Sequence, residues 1–264
     1  VGRYMSDSTP SGPKIAVVNL EGMILDSGKI VEWVEQVRKD DSYKGAVLRI
    51  NSPGGAVGPS QEIFAAIRRL DQIKPVVASL GGVAASGGYY AALGAREIYS
   101  GPSTLTAGIG VKMQIPNVNG LMQTVGISEK TLSTGNLKDA GSAWRTMSPE
   151  EESYFYELLN DMYVEFMQTV SEQRKISMED VQVLADGGAM TGRQALGAKL
   201  VDHLGDQHDA LERLKVLCNM KPGDSFSLVE GPEQPSRKLK DFFLSLFEAG
   251  LEHKAAAEQP RFIY

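Results

Sequence analysis

Short apolar runs alternate with segments of helical periodicity along the first part of the chain, and this alternation constrains the fold more than any other feature. Ile15–Leu20, Ala46–Ile50 and Val76–Leu80 read as buried strands. Ile30, Trp33, Val34 and Val37 recur at helical spacing after the first run, and Ile63, Phe64, Ile67 and Leu70 after the second. Strands alternating with helices predict βαβ units and a mostly parallel sheet, an α/β fold. Such sheets hold ligands at the C-terminal ends of their strands. Two glycine-rich turns, at 53–55 and 81–88, follow strands at that end.

Later helices carry clear start signals. Ser148-Pro149-Glu150-Glu151 combines a capping hydroxyl, a first-turn proline and an acidic residue at the capping-box position. Phe155, Leu158, Leu159, Met162, Phe166 and Val170 then form a long apolar face. Residues 207–219 and Lys238–Leu251 read as two further helices, and no internal repeat is visible.

With 264 residues, the chain can bury a sizeable core. Its net charge of −6 argues against a nucleic-acid partner, because phosphate binding needs a basic face. Cys218 is the single cysteine, so an intrachain disulfide and a cysteine metal site are both excluded. It lies in the helical segment Leu211–Met220 and reads as core packing. The uncharged stretch Val76–Ala95 is long enough to span a bilayer, but Gly81-Gly82 and Gly87-Gly88 break it into strand, turn and helix. The polar leader, Ser6–Pro13, reads as a linker.

Ser86 is the candidate nucleophile. It stands among Ala84, Ala85, Gly87 and Gly88, which are too small to shield it. A serine hydroxyl needs a base to take its proton. The three histidines, His203, His208 and His253, all lie in the last quarter of the chain. Lys138, in Gly135-Asn136-Leu137-Lys138-Asp139, is the alternative base. A free lysine titrates near ~10.4, so the role requires desolvation, which Leu137, Ala140, Gly141, Ala143 and Trp144 are expected to supply. Asp139 is expected to point away from it, since a close carboxylate holds a lysine protonated. The Gly87 amide, beside the nucleophile, is a natural oxyanion donor. Gly54-Gly55 is a second candidate turn, where glycine permits close approach to a ligand.

The motifs taken together resemble signal peptide peptidase A, a family of membrane-bound Ser-Lys proteases on the ClpP/crotonase fold. The resemblance is carried by Asn51–Gly55, Val83–Tyr90, Thr104–Val111 and Gly135–Gly141, and extended by Thr191–Ala195 and Leu200–Gly205. It implies a single protease domain over 14–235, a linker over 1–13 following an N-terminal anchor that is missing here, and a C-terminal helix and tail over 236–264. It implies Ser86 and Lys138 as the dyad and Gly55 and Gly87 as the oxyanion hole. Substrate is expected to add as a strand beside Gly54 and Ala56 and beside Gly82 and Val83. No cofactor and no metal is implied. The implied partners are hydrophobic or signal-peptide substrates, the membrane, and other copies of the chain in a ring of four or eight, with Lys138 reaching Ser86 of a neighbour from an arm over Gly101–Thr134. The implied location is the bacterial cytoplasmic membrane, with the catalytic domain outside the cytoplasm. The family commonly has serine before Ile-Gly, where it orients the lysine; Gly108 stands there instead, leaving Thr104, Thr106 or a water for that task. The C-terminal Phe262-Ile263-Tyr264 resembles the family's aromatic tails and reads either as a docking segment or as a frayed end.

Three other functions fit parts of this pattern. One is the stomatin-associated type of Ser-Lys protease that cleaves membrane proteins. Another is acyl-CoA chemistry on the same fold, which uses the oxyanion hole without Ser86. The third is a catalytically silent oligomeric scaffold.

Overall fold

A computed structural model describes residues 12–221 and 223–232. The leader up to residue 11, the helix expected over Lys238–Leu251 and the tail lie outside the described residues.

The chain folds as βαβ units, as the alternation predicts. Strand β1 (Lys14–Glu21), helix α1 (Gly28–Lys39), β2 (Tyr43–Ser52), α2 (Val57–Asp71), β3 (Val76–Ala85), α3 (Gly87–Ala92) and β4 (Glu97–Ser100) follow in order. β5 (Leu105–Ala107) and α4 (Asn119–Thr124) come next, then the long α5 (Pro149–Arg174) and α6 (Met178–Leu184). β6 (Ala189–Thr191), α7 (Gly192–Gly197), β7 (His203–Leu204), α8 (Gln207–Leu217) and β8 (Ser227–Gly231) complete the described fold.

The eight strands form one sheet whose main path runs β6-β5-β3-β2-β1-β8, with β4 and β7 branching from β3. All pairs are parallel except β5 with β6. Both faces of the central strands are covered, as parallel sheets require. Ala16, Val18 and Leu20 point into the main core with Ile63, Ile67 and Leu70 of α2. Their neighbour Ile15, with Val47 and Val77, packs on the other face against Ala210 and Leu214 of α8. Cys218 joins this smaller cluster, half-buried, and burial pushes its thiol up to about 11. Its packing role therefore stands, and at neutral pH it is not a thiolate nucleophile.

β3 forks, and the fork creates the site. Val77–Leu80 pair with β4, whereas Val83–Ala85 pair with β5. Against β2 the register jumps from Ile50↔Leu80 to Ser52↔Ala84, so the strand bulges at Gly81-Gly82. Thr104 and Thr106 staple β5 to the bulged segment, donating to the carbonyls of Gly81 at 2.6 Å and Ala84 at 2.8 Å.

Between β5 and α5 the chain leaves the core. From Lys112 to Met147 it is mostly exposed coil around the short α4, which buries no residue. The exposed arm expected over Gly101–Thr134 thus lies further along, because Gly101–Ile109 is held in the sheet and core. Among the described residues, no helix is long and apolar enough to cross a membrane.

Candidate active site

The end of β3 delivers Ser86 into a strained turn. Its backbone sits at φ 52°, ψ −123°, immediately before α3. Positive φ in a residue with a side chain costs on the order of 1–3 kcal/mol and persists only where its surroundings enforce it. Here the Ser86 amide is fixed by the Ala107 carbonyl at 2.7 Å, and Ala107 and Gly108 are themselves at φ 61° and 64°. Gly108 lies so close that an added Cβ would stand 3.3 Å from the Ser86 nitrogen. Glycine at 108 fits both the left-handed backbone and this contact.

The end of β2 brings Gly54 and Gly55 against the same turn. Gly54 is at φ 95°, and a Cβ on it would lie 2.7 Å from the Gly87 nitrogen. Its amide is held by the buried Ser52 hydroxyl at 3.1 Å. Ile24 grips both flanks of Gly55, donating to the Gly54 carbonyl at 3.0 Å and accepting from the Ala56 amide at 2.7 Å. In a parallel bridge the middle residue's own amide faces the opposite side, so among the described residues the Gly55 N–H is left free. The Gly87 N–H, first in α3, has no intrahelical partner either. A Cβ built on Gly87 falls 3.3 Å from the Gly55 nitrogen. The structure therefore gathers Ser86, Gly87, Gly54 and Gly55 at one point.

A narrow cavity of about 30 Å³ opens beside Ser86. Gly55, Val57 and Gln61 line it from the α2 side, Tyr90 from α3, Gly110 and Val111 from the chain after β5, and Met162 and Phe166 from α5. The Tyr90 ring packs edge-on against Phe64 and Phe166, and its hydroxyl bonds that of Thr169 at 2.9 Å. The Tyr90 and Phe166 side of the pocket wall is thus held by aromatic packing.

Other expected site residues are arranged differently. Lys138 is exposed, does not line the cavity, and has no hydrogen bond to Ser86 among the described residues. Its apolar neighbours do not bury it, since Leu137 and Trp144 are exposed themselves. The Lys138 turn stands on the exposed arm, and none of the described residues buries it. Asp139 does point to another partner, Arg145, at 2.9 Å. Thr104 and Thr106 spend their protons on β3 carbonyls, so they are poorly placed to orient the lysine. The strand pairing expected along Gly82 and Val83 is also largely taken. Val83–Ala85 carry β5 on one side, and on the other Ala84 faces Ser52 while the Val83 amide donates to the Asn51 side chain at 3.2 Å. The open ladder position is at Gly55, with Ala56 exposed beside it.

Sequence reasoning missed four contributors. Ile24 acts through its backbone in an isolated bridge, which leaves no periodic signal. Met162 and Phe166 were visible only as part of a helical apolar face, not as a pocket wall. Arg145 had a legible sign, an isolated cation between Asp139 and Glu151.

Residues 68–221 match the model of peptidase family S49. A putative protease of Synechocystis sp. is 36% identical, with 88% of this chain and 84% of that protein aligned. A putative protease of Methanocaldococcus jannaschii is 35% identical over 74% of this chain and 63% of its own length. A putative signal peptide peptidase SppA of Enterococcus faecium is 33% identical over 78% of this chain, which spans 64% of that protein. The chain belongs to peptidase family S49, as a member of the signal peptide peptidase A group.

Proposed function

We propose that this protein is a serine endopeptidase of ClpP/crotonase-like fold that cleaves hydrophobic peptides, such as remnant signal peptides, through an acyl-enzyme on Ser86. The observation that carries the reading is the strained Ser86 turn with the free Gly55 and Gly87 amides beside it. Attack of Oγ on a scissile carbonyl turns that oxygen into an oxyanion, and two free amides are the donors it needs. Loss of one such donor is worth about 3–4 kcal/mol in related chemistry. The peptide runs as an added strand along Gly55 and Ala56, with Gly110 and Val111 on its other side. The side chain before the scissile bond enters the small apolar cavity, which favours alanine-sized or short aliphatic groups. Substrates of this kind put the enzyme's work at a membrane surface.

Lys138 is the proposed base, reaching Ser86 of a neighbouring copy in a closed ring. Its exposure on the arm supports this reading, and so do the apolar residues exposed on the same arm, including Leu121, Val125, Ile127 and Leu132. A neighbour covering that surface would also desolvate the lysine, which favours the neutral amine that a base needs.

The test is labelling with a fluorophosphonate, together with turnover of an Ala- and Leu-rich peptide. Wild type is expected to label at Ser86 and cleave, and Ser86→Ala to do neither while keeping its far-UV circular dichroism. Cleavage at the wild-type rate by Ser86→Ala rules out the serine mechanism. Folded wild type that neither labels nor cleaves favours the silent scaffold.

A further inference from the structure

The turn carrying Lys138 is closed by its own backbone. Lys138 donates to the Gly135 carbonyl at 3.3 Å and Ala140 to that of Leu137 at 3.1 Å. Among the described residues, the side chain that ties this turn to α5 is Arg145. Nε donates to Asp139 Oδ2 at 2.9 Å and Nη2 to the Asp139 main-chain carbonyl at 2.8 Å. Nη1 reaches Glu151 Oε2 at 2.8 Å, and Nη2 also bonds Glu151 Oε1. Glu151 is a rigid anchor. It is buried, lies in the first turn of α5, and closes a capping box with Ser148. Arg145 therefore bridges the residue next to Lys138 to the start of the helix that also walls the cavity with Met162 and Phe166.

Three-way bonding of this kind has an electrostatic consequence. Asp139 adjoins Lys138, and an unengaged carboxylate within ~4–6 Å would hold the lysine protonated. Arg145 takes that carboxylate instead. The next charged residues along the chain are Glu129 and Lys130 upstream and Glu150 and Glu152 in the first turn of α5, all exposed. Among the described residues none forms an ion pair with Lys138.

We propose that Arg145 is a positioning residue for Lys138, tying its turn to α5 and engaging the Asp139 carboxylate that would otherwise pair with the lysine. The proposal rests on the reading of Lys138 as the base. It is distinct from a purely structural role, because it requires Arg145 and Asp139 to act together on the pH dependence of catalysis.

The experiment measures kcat/KM from pH 6 to 10 for wild type, Lys138→Ala, Arg145→Ala, Arg145→Gln, Asp139→Asn and the Arg145→Ala/Asp139→Asn double variant, each checked for assembly size. The acid limb of this profile reports the base in the free enzyme. Lys138→Ala is expected to be inactive. Freeing Asp139 in Arg145→Ala should move the limb up by about one pH unit, a roughly tenfold loss on the acid side. Asp139→Asn should leave the limb at the wild-type position or below it, and the double variant should bring it back. Should Arg145→Ala fail to assemble, Arg145→Gln, neutral but still able to donate, is read by the same upward shift. A limb that stays put in the assembled Arg145 variants, or stays shifted in the double variant, overturns the role of Arg145 and leaves Lys138 as base. Turnover by Lys138→Ala overturns both.

Discussion

At Gly55 a single methyl group would collide with the protein's own backbone. An added Cβ would overlap the Ile24 carbonyl, the same group that holds the Ala56 amide. Gly55→Ala is therefore expected to push the turn away from Ser86, lowering kcat by at least about 10²-fold. Its melting temperature should fall as well, measured by thermal denaturation beside peptide turnover. An alanine variant with wild-type kcat would mean that the Gly55 amide is not a donor. Glu151 makes a different residue-scale prediction. Its hydrogen bonds to Arg145, and then to the Ser148 amide, hold its carboxyl at about 2, below the ordinary 4.5. A depressed carboxylate contributes stability above its unfolded pKa, and that contribution is lost as pH falls through the interval toward the folded value. Protection of the Lys138 turn and the first turn of α5 against hydrogen exchange, with rates corrected for the intrinsic pH dependence, should accordingly fall between pH 4.5 and 2, ahead of that of the sheet.

Helix α5 is an element with two unlike halves. Phe166, Met167 and Val170 are buried in the core, while Phe155, Leu158 and Leu159 in its first half are only half-covered. The first half depends more on its capping box, in which the Ser148 hydroxyl accepts from the Glu151 amide at 3.2 Å. Ser148→Ala should cost about 1 kcal/mol. The loss should appear as faster exchange over 149–156, with little change around Phe166. Equal loosening along the whole helix would show that α5 unfolds as one unit. The alternation of strands and helices, and this helix start, were legible because they are local: periodicity and capping chemistry lie within a few residues. The fork in β3 was not, because it depends on which strand pairs with each half of Val76–Ala85.

At the scale of the whole molecule, the arm presents Leu121, Val125, Ile127 and Leu132 to solvent, the last 85% exposed. If a neighbouring copy covers this surface, Leu132→Asp should shift the protein to smaller species by sedimentation velocity and lower activity with it. Complementation tests the arrangement directly. Ser86→Ala and Lys138→Ala chains, each inactive, are unfolded, mixed and refolded together. Random mixing in closed rings leaves about one quarter of the sites with an intact serine and an intact lysine from adjacent chains. Recovery near that fraction supports a shared site, whereas mixed rings that stay inactive would confine the dyad to one chain.

The sequence by itself determined the α/β class, the central strands and helices, and the small-residue turns at 54–55 and 86–88, because each is written in local periodicity or in residues that only special backbone angles admit. It also singled out Lys138, through motif context; the burial expected from Leu137, Ala140, Gly141, Ala143 and Trp144 is not found among the described residues, where Lys138 is exposed. Tertiary structure alone decided that Gly55 and Gly87 stand side by side with their amides free, since this requires the ends of β2 and β3 to meet with Ile24 behind them. Tertiary structure alone also decided that Lys138 is exposed on the arm and that Arg145 holds Asp139. The physical reason is range: propensity and capping act over a few residues, whereas register, packing and ion pairing join segments that are distant along the chain and become neighbours only once the sheet has formed.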